Sequence, residues 1–313
     1  KKIEFICSCS PELDRPYEQI YQDVTQQMKD METDFLSVQD IGCSLVDPAK
    51  IAIEVYVSDM NYLWSWLLQL LECLKVHIMH ISAFKMYFKD ASECAQWMTQ
   101  QTENVNNWMR HQNVPMQELE QRKIECQDLQ KRLINCEEHV ASLTERSYHI
   151  IPLLKRSDHP ASHIKVLCLC CYEQDTMSLQ KDEECFLIDN SEIVRWKVKN
   201  ARGQVDTVPS ICLTIPPPNA EAVDHANRLK VQLEHLQSSC KTCQRKLAVF
   251  LTIDFIKSGD LAQMMFQDPS KCETLLRDLK ADAAWLIEEV GETDQNMQQQ
   301  LQKDLEECNM KVQ

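Results

Sequence analysis

The chain has 313 residues, a length typical of about two domains or of a series of smaller units. Only 4 residues are Gly, where an average content of about 7% would give roughly 20, which argues against turn-rich folds such as large barrels, sandwiches and doubly wound sheets. The formal net charge of −15 would repel a phosphate backbone and argues against nucleic acid as a partner, while 44% hydrophobic residues suffice for a packed core.

The first predicted element is a helix from about Pro11 to Gly42, ended by breakers at Gly42 and Pro48. A longer segment follows from Pro48 to Pro115 and has neither Pro nor Gly between these two residues, which predicts one uninterrupted helix. Its apolar residues recur with a period near 3.5, typical of a narrow stripe packed against other helices. The stripe consists of Ile53, Val57, Met60, Trp64, Leu67, Leu71, Leu74, Ile78 and Ile81.

This apolar stripe shifts around the helix after Ile81, because the next position in register is Lys85 and the apolar residues move to Phe84 and Phe88. A helix with two offset stripes can end one bundle and begin the next. The shift therefore predicts tandem three-helix bundles that share a connecting helix. The alternative, one long parallel coiled coil, conflicts with breakers that would fold the chain back: Gly42, Pro115, Gly259 and Gly291.

The most apolar stretch of the chain runs from Leu63 to Ile81 and is interrupted by polar residues, so we expect no membrane insertion. These residues are Ser65, Gln69, Glu72, Lys75 and His77. The sequence begins without Met, has no apolar segment of the signal-peptide type and ends on a helical pattern. We interpret it as an excerpt from a longer protein.

Two further helical segments carry heptads, one between Pro115 and Pro152 and one from Asn219 to Ser258. Some of the 16 Cys occupy core heptad positions, where Cys acts as a small apolar residue: Cys126, Cys136, Cys240 and Cys243. The last two form a C-x-x-C pair that could be redox-active or half a zinc site. Since no second such pair follows, we interpret them as core residues in a reduced, intracellular protein.

No motif for catalysis or for a cofactor is found, so neither an enzyme nor a bound cofactor or metal is expected. Cys168, Cys170 and Cys171 would alternate between the faces of a strand, which disfavours a metal site. His77 and His80 lie three residues apart without an evident third ligand. We interpret them as solvated side chains or as side chains at a junction between repeats.

A small β module is predicted from about Ile164 to Ile215, where Pro and Gly cluster among Val, Ile, Cys and Thr. Four of its segments match, in order, the A-L-Y-D-Y strand, acidic loop, paired Trp and I-P-S-N-Y turn of one family: Cys168–Tyr172, Lys181–Cys185, Arg195–Val198 and Val208–Cys212. The module therefore resembles a Src-homology-3 (SH3) barrel. The resemblance implies a core that includes Leu169, Trp196, Val198 and Val208.

An SH3 groove grips a polyproline II ligand with a row of aromatic rings and a Pro. By resemblance, this row falls on five residues, which we call the groove face: Cys170, Tyr172, Arg195, Pro209 and Cys212. Three of the five positions lack their aromatic ring. We therefore expect a degenerate SH3 module that does not bind PxxP peptides with useful affinity.

Several motifs link this module to the surrounding helices: Trp64-Ser-Trp66-Leu-Leu-Gln69, Asp182-Glu-Glu-Cys185, Trp196-Lys-Val198, Val208-Pro-Ser210 and Ile215-Pro-Pro-Pro-Asn219. With them, the chain resembles the plakin domain of the plakin and spectraplakin cytolinkers. The last motif alone could be a polyproline II ligand, but in this family it is the exit from the SH3 module into the next helix.

The resemblance and the breakers together predict a mainly α fold, with tandem spectrin-like three-helix bundles in an elongated rod and one inserted SH3-like β-barrel. Residues 1–80 would end one spectrin-like repeat with its helices B and C, and 81–150 would give helices A and B of the next. Residues 163–216 would form the SH3 module, and 219–258 helix C running into a partial repeat at 259–313.

The resemblance implies a non-catalytic scaffold segment of a cytoskeletal linker in the cytoplasm, at cell junctions. It also implies that the degenerate SH3 module docks on its neighbouring spectrin repeat, so that the groove face lies in an intramolecular interface. The implied partners are cytoplasmic tails of junctional receptors and cytoskeletal components such as intermediate filaments, with no small-molecule substrate. The alternative is a signalling or mechanosensing adaptor whose SH3 module recruits a protein, with Arg195 and Tyr172 in an unconventional groove. An enzyme with a Cys nucleophile would need a His-backed Cys motif, and none is evident.

Overall fold

The computed structural model describes residues 17–44, 50–109, 114–158, 164–174, 176–257, 269–290 and 295–312. Within these ranges the chain is mainly helical, as predicted, and its α-helices are numbered in chain order. They are α1 (Tyr17–Ser44), α2 (Lys50–Met109), α3 (Met116–Ser147), α4 (Ala220–Lys257), α5 (Pro269–Val290) and α6 (Gln295–Val312). The expected breakers Pro48, Gly259 and Gly291, and the start of the first helix at Pro11, lie outside the described residues.

Helix α2 runs without interruption for 60 residues, as the absence of Pro and Gly predicts. The helix end predicted at about Gly42 is close to the observed one, because α1 ends at Ser44 and α2 begins at Lys50, although Gly42 itself lies within α1. A Cβ atom on Gly42 would lie 2.9 Å from Cγ2 of Val57 on α2. This Gly therefore permits the close approach of two helices instead of ending one.

The chain divides into two compact units, and the helices α2 and α4 each contribute residues to both units. The first unit comprises Lys1–Lys89 and Glu145–Asp224, and the second comprises Asp90–Thr144 and His225–Gln313. The division falls in α2 shortly after the predicted shift of the apolar stripe. Beyond Ile81 the buried positions of α2 include Tyr87, which the apolar pattern did not single out and whose hydroxyl donates to the carbonyl of Ala222 over 2.7 Å.

The β module of the first unit contains seven short strands in its described residues. They are β1 (Ile164–Cys168), β2 (Tyr172–Gln174), β3 (Met177–Leu179), β4 (Glu184–Asp189), β5 (Arg195–Lys199), β6 (Val205–Pro209) and β7 (Leu213–Thr214). Five form an antiparallel sheet in the order β6-β5-β4-β1-β7, and β2 and β3 form a separate hairpin. Gly203 makes the β5–β6 turn with a φ of 84°, a conformation that favours Gly.

Side-chain alternation along the strands fills the interior of the β module. On β5, Trp196 and Val198 are buried while the residues on either side of them are exposed. The guanidinium of Arg156, from the short 3₁₀ helix Leu153–Arg156, lies 4.4 Å from the Trp196 ring centroid. The same apolar cluster also includes Leu74 and Ile81 of α2, so the module and α2 share one core.

The exit from the β module forms the N-terminal cap of α4, as the family pattern implies. The side-chain oxygen of Asn219 accepts hydrogen bonds from the backbone N–H groups of Glu221 and Ala222, at 2.9 and 3.3 Å. The backbone N–H of Asn219 donates to the carbonyl of Ile150 over 2.7 Å. These bonds fix where the chain returns from the module to a helix.

In the second unit, the heptad Cys residues lie in the core of the packed helices, as predicted. All four are buried, and Sγ of Cys126 on α3 lies 3.6 Å from Sγ of Cys240 on α4. A further apolar cluster joins the end of α4 to α5 and α6, with Ile253, Leu286 and Leu301 among its members.

By length and composition alone, α2 is the one described helix that could cross a membrane. A long helix in a protein core passes the same test, so this is weak evidence for a membrane span.

Candidate functional site: the groove face of the β module

The structure brings three residues of the groove face together beside α2. Tyr172 begins β2, Arg195 begins β5 and Pro209 ends β6, and all three line one cleft of about 440 Å³. The opposite wall of this cleft comes from α2: Tyr62, Leu63, Ser65, Trp66 and Gln69. The groove face and one face of α2 are thus in direct contact within the first unit.

Tyr172, the groove position that keeps its aromatic ring, is covered by this contact. Its ring centroid lies 5.9 Å from that of Trp66, with the two planes tilted by 51°. Its hydroxyl donates to the carbonyl of Thr207 over 3.3 Å, and burial raises the pKa of Tyr172. Arg195 remains exposed and also donates to the Thr207 carbonyl, over 3.4 Å.

The two groove positions that hold Cys meet a third Cys on α2. Cys170 follows β1, Cys212 lies in the 3₁₀ helix Ser210–Cys212, and their Sγ atoms lie within 4.8 Å of each other and of Sγ of Cys73. All three side chains are buried, and we call this group the thiol cluster. Hydrogen bonds with Cys170 and then Cys212 lower the pKa of Cys73, while hydrogen bonds with Cys170 and then Cys73 raise that of Cys212.

His77, one turn after Cys73 on α2, also contacts the module. Its Nε2 donates to the carbonyl of Ile211 over 2.9 Å, and its side chain is 4% exposed. Burial, followed by the charge of Arg156, holds the pKa of His77 well below its usual range. The expectation of a solvated side chain is therefore wrong for His77, which is a neutral residue packed against the module.

Three of the four expected core residues, Trp196, Val198 and Val208, are buried in the β module. Leu169 is only half-buried, because the preceding residue, Cys168, takes the inward position at the end of β1. The backbone N–H of Leu169 donates to the carbonyl of Cys212 over 2.7 Å. Its backbone thus ties β1 to the 3₁₀ helix that carries part of the groove face.

Sequence reasoning missed the α2 side of this site, namely Trp66, Cys73 and His77. These residues recur on one helix face, directly beside the apolar stripe that the heptads identify. A second stripe of aromatic, Cys and His side chains next to an apolar one was the available signal. It indicates that this part of α2 packs against two surfaces.

Two adjacent segments of the chain match models of known families. Residues 152–216 match a model described as an SH3 domain, and residues 85–151 match one described as a spectrin-like repeat. The chain is 28% identical to microtubule-actin cross-linking factor 1 of Rattus norvegicus over 274 residues, which are 83% of this chain and 5% of that protein. It is also 28% identical to desmoplakin-A of Danio rerio over 231 residues, which are 73% of this chain and 11% of that protein.

Among solved structures, the fold is similar to a rigid four-spectrin-repeat fragment of the human desmoplakin plakin domain. The TM-score is 0.74 at 21% identity, covering 99% of this chain and 75% of that one. The mainly α fold with spectrin-like repeats and an SH3-like module is confirmed, as is the resemblance to plakins and spectraplakins. The matched chain spans only a small part of these curated relatives, 5% and 11% of their lengths.

Proposed function

We propose, from the similarity of this chain to plakins and spectraplakins, that it is a non-catalytic scaffold segment of a cytoskeletal linker. In this proposal the module, residues 163–216, is a degenerate SH3 domain held against α2 by its groove face and not available to PxxP ligands. One spectrin-like repeat would end at residue 80, and the next would have helices A and B at 81–150 and helix C at 219–258. A partial repeat would follow at 259–313. Neither matched family is catalytic, which supports a structural role.

The observation that carries this proposal is the contact between α2 and the groove face. A polyproline II ligand needs an open row of aromatic rings, and the one Tyr of this row is 4% exposed, with Trp66 against it. Cys170 and Cys212, at two of the ring positions, pack on Cys73 instead. A PxxP peptide would have to displace a helix that shares a core with the module.

The proposed partners follow from the similarity to plakins and spectraplakins. One relative is named as a cross-linking factor of microtubules and actin, so we propose cytoskeletal filaments as partners. From the plakin resemblance we also propose the cytoplasmic tails of junctional receptors. The corresponding location is the cytoplasm at cell junctions. A pull-down of filament proteins with the full chain, compared with one using a denatured sample, tests this part of the proposal.

Peptide binding tests the covered groove. A library of proline-rich peptides is titrated against the full chain and against Trp66→Ala, which removes the α2 ring over Tyr172. Trp97→Ala is the control, because Trp97 is a half-buried Trp of α2 in the second unit. We expect no micromolar binding by the wild type or the control, and weak binding at most by Trp66→Ala.

A second candidate function is an adaptor whose module recruits a protein through an unconventional groove. The specific observation that favours it is the cleft beside the exposed Arg195. Micromolar peptide binding by the wild type that Tyr172→Ala abolishes would establish this function and refute the first. Limited proteolysis gives an independent test, since ready release of the module as a free fragment contradicts docking on α2.

A further inference from the structure

The thiol cluster has the composition of a site for a soft metal ion. Cys73, Cys170 and Cys212 come from a helix, a loop and a 3₁₀ helix, and each offers a sulfur ligand. In the described part of the chain, no other group of Cys, His, Asp or Glu places three ligand atoms this close together. Thiolate is the ligand that Cu⁺ and Zn²⁺ favour in proteins.

The spacing of the three sulfur atoms fits such an ion. Metal–sulfur bonds of about 2.3 Å place the sulfur atoms of a three-thiolate site roughly 3.8–4.0 Å apart. The three Sγ atoms already lie within 4.8 Å of one another, so small side-chain rotations are enough to reach this geometry. Their exposures of 2%, 7% and 0% exclude water, which would otherwise compete for the ion.

Arg156 holds the backbone around Cys212 in place. Its buried guanidinium donates to the carbonyls of Leu213 and Ser210, on either side of Cys212, over 2.8 and 2.9 Å. The 3₁₀ helix that carries Cys212 is therefore fixed by hydrogen bonds independent of the thiols.

A pair of thiols in the second unit provides the contrast. Cys126 and Cys240 are also buried, with their Sγ atoms 3.6 Å apart, and Cys126 also contacts Cys243. These three sulfur atoms, however, do not all lie within 4.8 Å of one another. Both lie at heptad positions between two helices, where small apolar side chains are expected. The thiol cluster differs because two of its members occupy positions where an SH3 domain carries aromatic rings.

We propose that Cys73, Cys170 and Cys212 bind one thiophilic d¹⁰ cation, Cu⁺ or Zn²⁺, which cross-links α2 to the β module. Each thiol that becomes a ligand releases its proton to solvent, and the metal keeps its oxidation state. Three thiolates complete a trigonal site for Cu⁺, whereas the usual tetrahedral site of Zn²⁺ needs a fourth ligand beyond these three. The proposal rests on the contact of the module with α2, and goes beyond the proposed function by adding a metal to it.

The test is an anaerobic titration of the reduced, metal-free full chain. Cu⁺ and Zn²⁺ are added separately in competition with a chromophoric chelator, and retained metal is counted by elemental mass spectrometry. We expect one equivalent of one of the two ions per chain. Cys73→Ser and Cys212→Ser should weaken binding at least about tenfold, whereas Cys126→Ser, which alters the two-thiol pair, should leave it unchanged.

Several results would overturn the proposal. One is that the wild type retains neither ion. A second is that Cys73→Ser binds the ion with the same affinity as the wild type, and a third is that Cys126→Ser alone loses binding. A disulfide between Cys73 and another member of the thiol cluster, found by mass spectrometry in protein that retains no metal, would also overturn it. The wild-type result is decisive even if a Ser variant fails to fold. Metal retention does not depend on peptide binding, so this proposal and the covered groove can fail separately.

Discussion

Cysteine is buried in both units of this protein, but its surroundings differ. In the second unit, Cys126 and Cys240 face each other between α3 and α4 at positions that their heptads identify. In the first unit, Cys170 and Cys212 lie on the groove face and meet Cys73 of α2. Heptad spacing in the sequence therefore reveals which residues form a contact between two helices. It does not reveal the contact of a β module with a helix, because the residues of that contact follow no regular spacing.

The largest expected effect comes from the interior of the β module, on which the groove face depends. Trp196→Ala removes a ring that is 2% exposed and stacked under Arg156, and should lower the free energy of unfolding by about 3–5 kcal/mol. Denaturant unfolding with hydrogen exchange of the β5 peptides measures this loss. Ile193→Ala is the control, because Ile193 is 55% exposed and should change stability little.

A loss of less than about 1 kcal/mol in Trp196→Ala would contradict a packed module core. In that case the groove face would not be a fixed surface, and the different surroundings of Cys in the two units would not reflect a difference in packing.

Restoring an aromatic ring to the groove face tests the comparison directly. Cys170→Tyr adds a ring where Cys73 already fills the space, so we expect overpacking that costs about 1–3 kcal/mol. Cys171→Tyr is the matched control, since the neighbouring Cys171 is exposed and lines the cleft beside α2, where a ring displaces no buried thiol. Thermal and denaturant unfolding measure both variants.

A stable Cys170→Tyr variant that also gained micromolar affinity for a PxxP peptide would contradict our interpretation. It would mean that α2 leaves the groove face easily and that Cys merely weakened a working SH3 groove.

Sequence reasoning predicted well the elements that local patterns determine. The absence of breakers gave the continuous α2, and the quoted motifs located the strands of the module and the buried Trp196. It did not show why residue 42 is Gly, because the need for a Gly there comes from Val57 on another helix. The residue type required at such a position is determined by a neighbour in space that lies far away in the sequence.

The same limit applies to the candidate site. The groove positions on the module followed from the family pattern, but Cys73 and His77 did not, since their partners lie on a different element. His77 was open to a solvated interpretation because a single His on a helix carries no sign of burial. Packing of the module on α2 determines its environment.

The buried His77 predicts acid sensitivity of the contact between α2 and the module. Its pKa is lowered in the folded state, so the unfolded state binds more protons below the ordinary value of about 6.5. Stability is therefore fully present above that pH and falls as the pH decreases, by up to about 1.4 kcal/mol per pH unit. His80, whose pKa burial also lowers, adds to this loss, while Arg156 stays charged throughout.

The control for this pH effect is His77→Gln, whose amide can still donate to the carbonyl of Ile211 but does not titrate. Between pH 7 and 5, the wild type should lose more stability in denaturant unfolding than the variant. Equal losses would assign the acid sensitivity to other groups.

The smallest expected effect concerns a feature that is wholly local, the N-terminal cap of α4. Asn219→Ala removes the acceptor for the N–H groups of Glu221 and Ala222, and should cost about 1 kcal/mol. Asn219→Asp keeps that acceptor and should be nearly neutral, because a carboxylate is also favourable at a helix N-terminus. Hydrogen exchange in the first turn of α4, with thermal unfolding, separates the two variants.

If Asn219→Ala matched the wild type, the bond from the Asn219 backbone to Ile150 would be sufficient to set the start of α4. The exit from the module would then be determined, like the groove face, by a contact between distant residues and not by its own sequence.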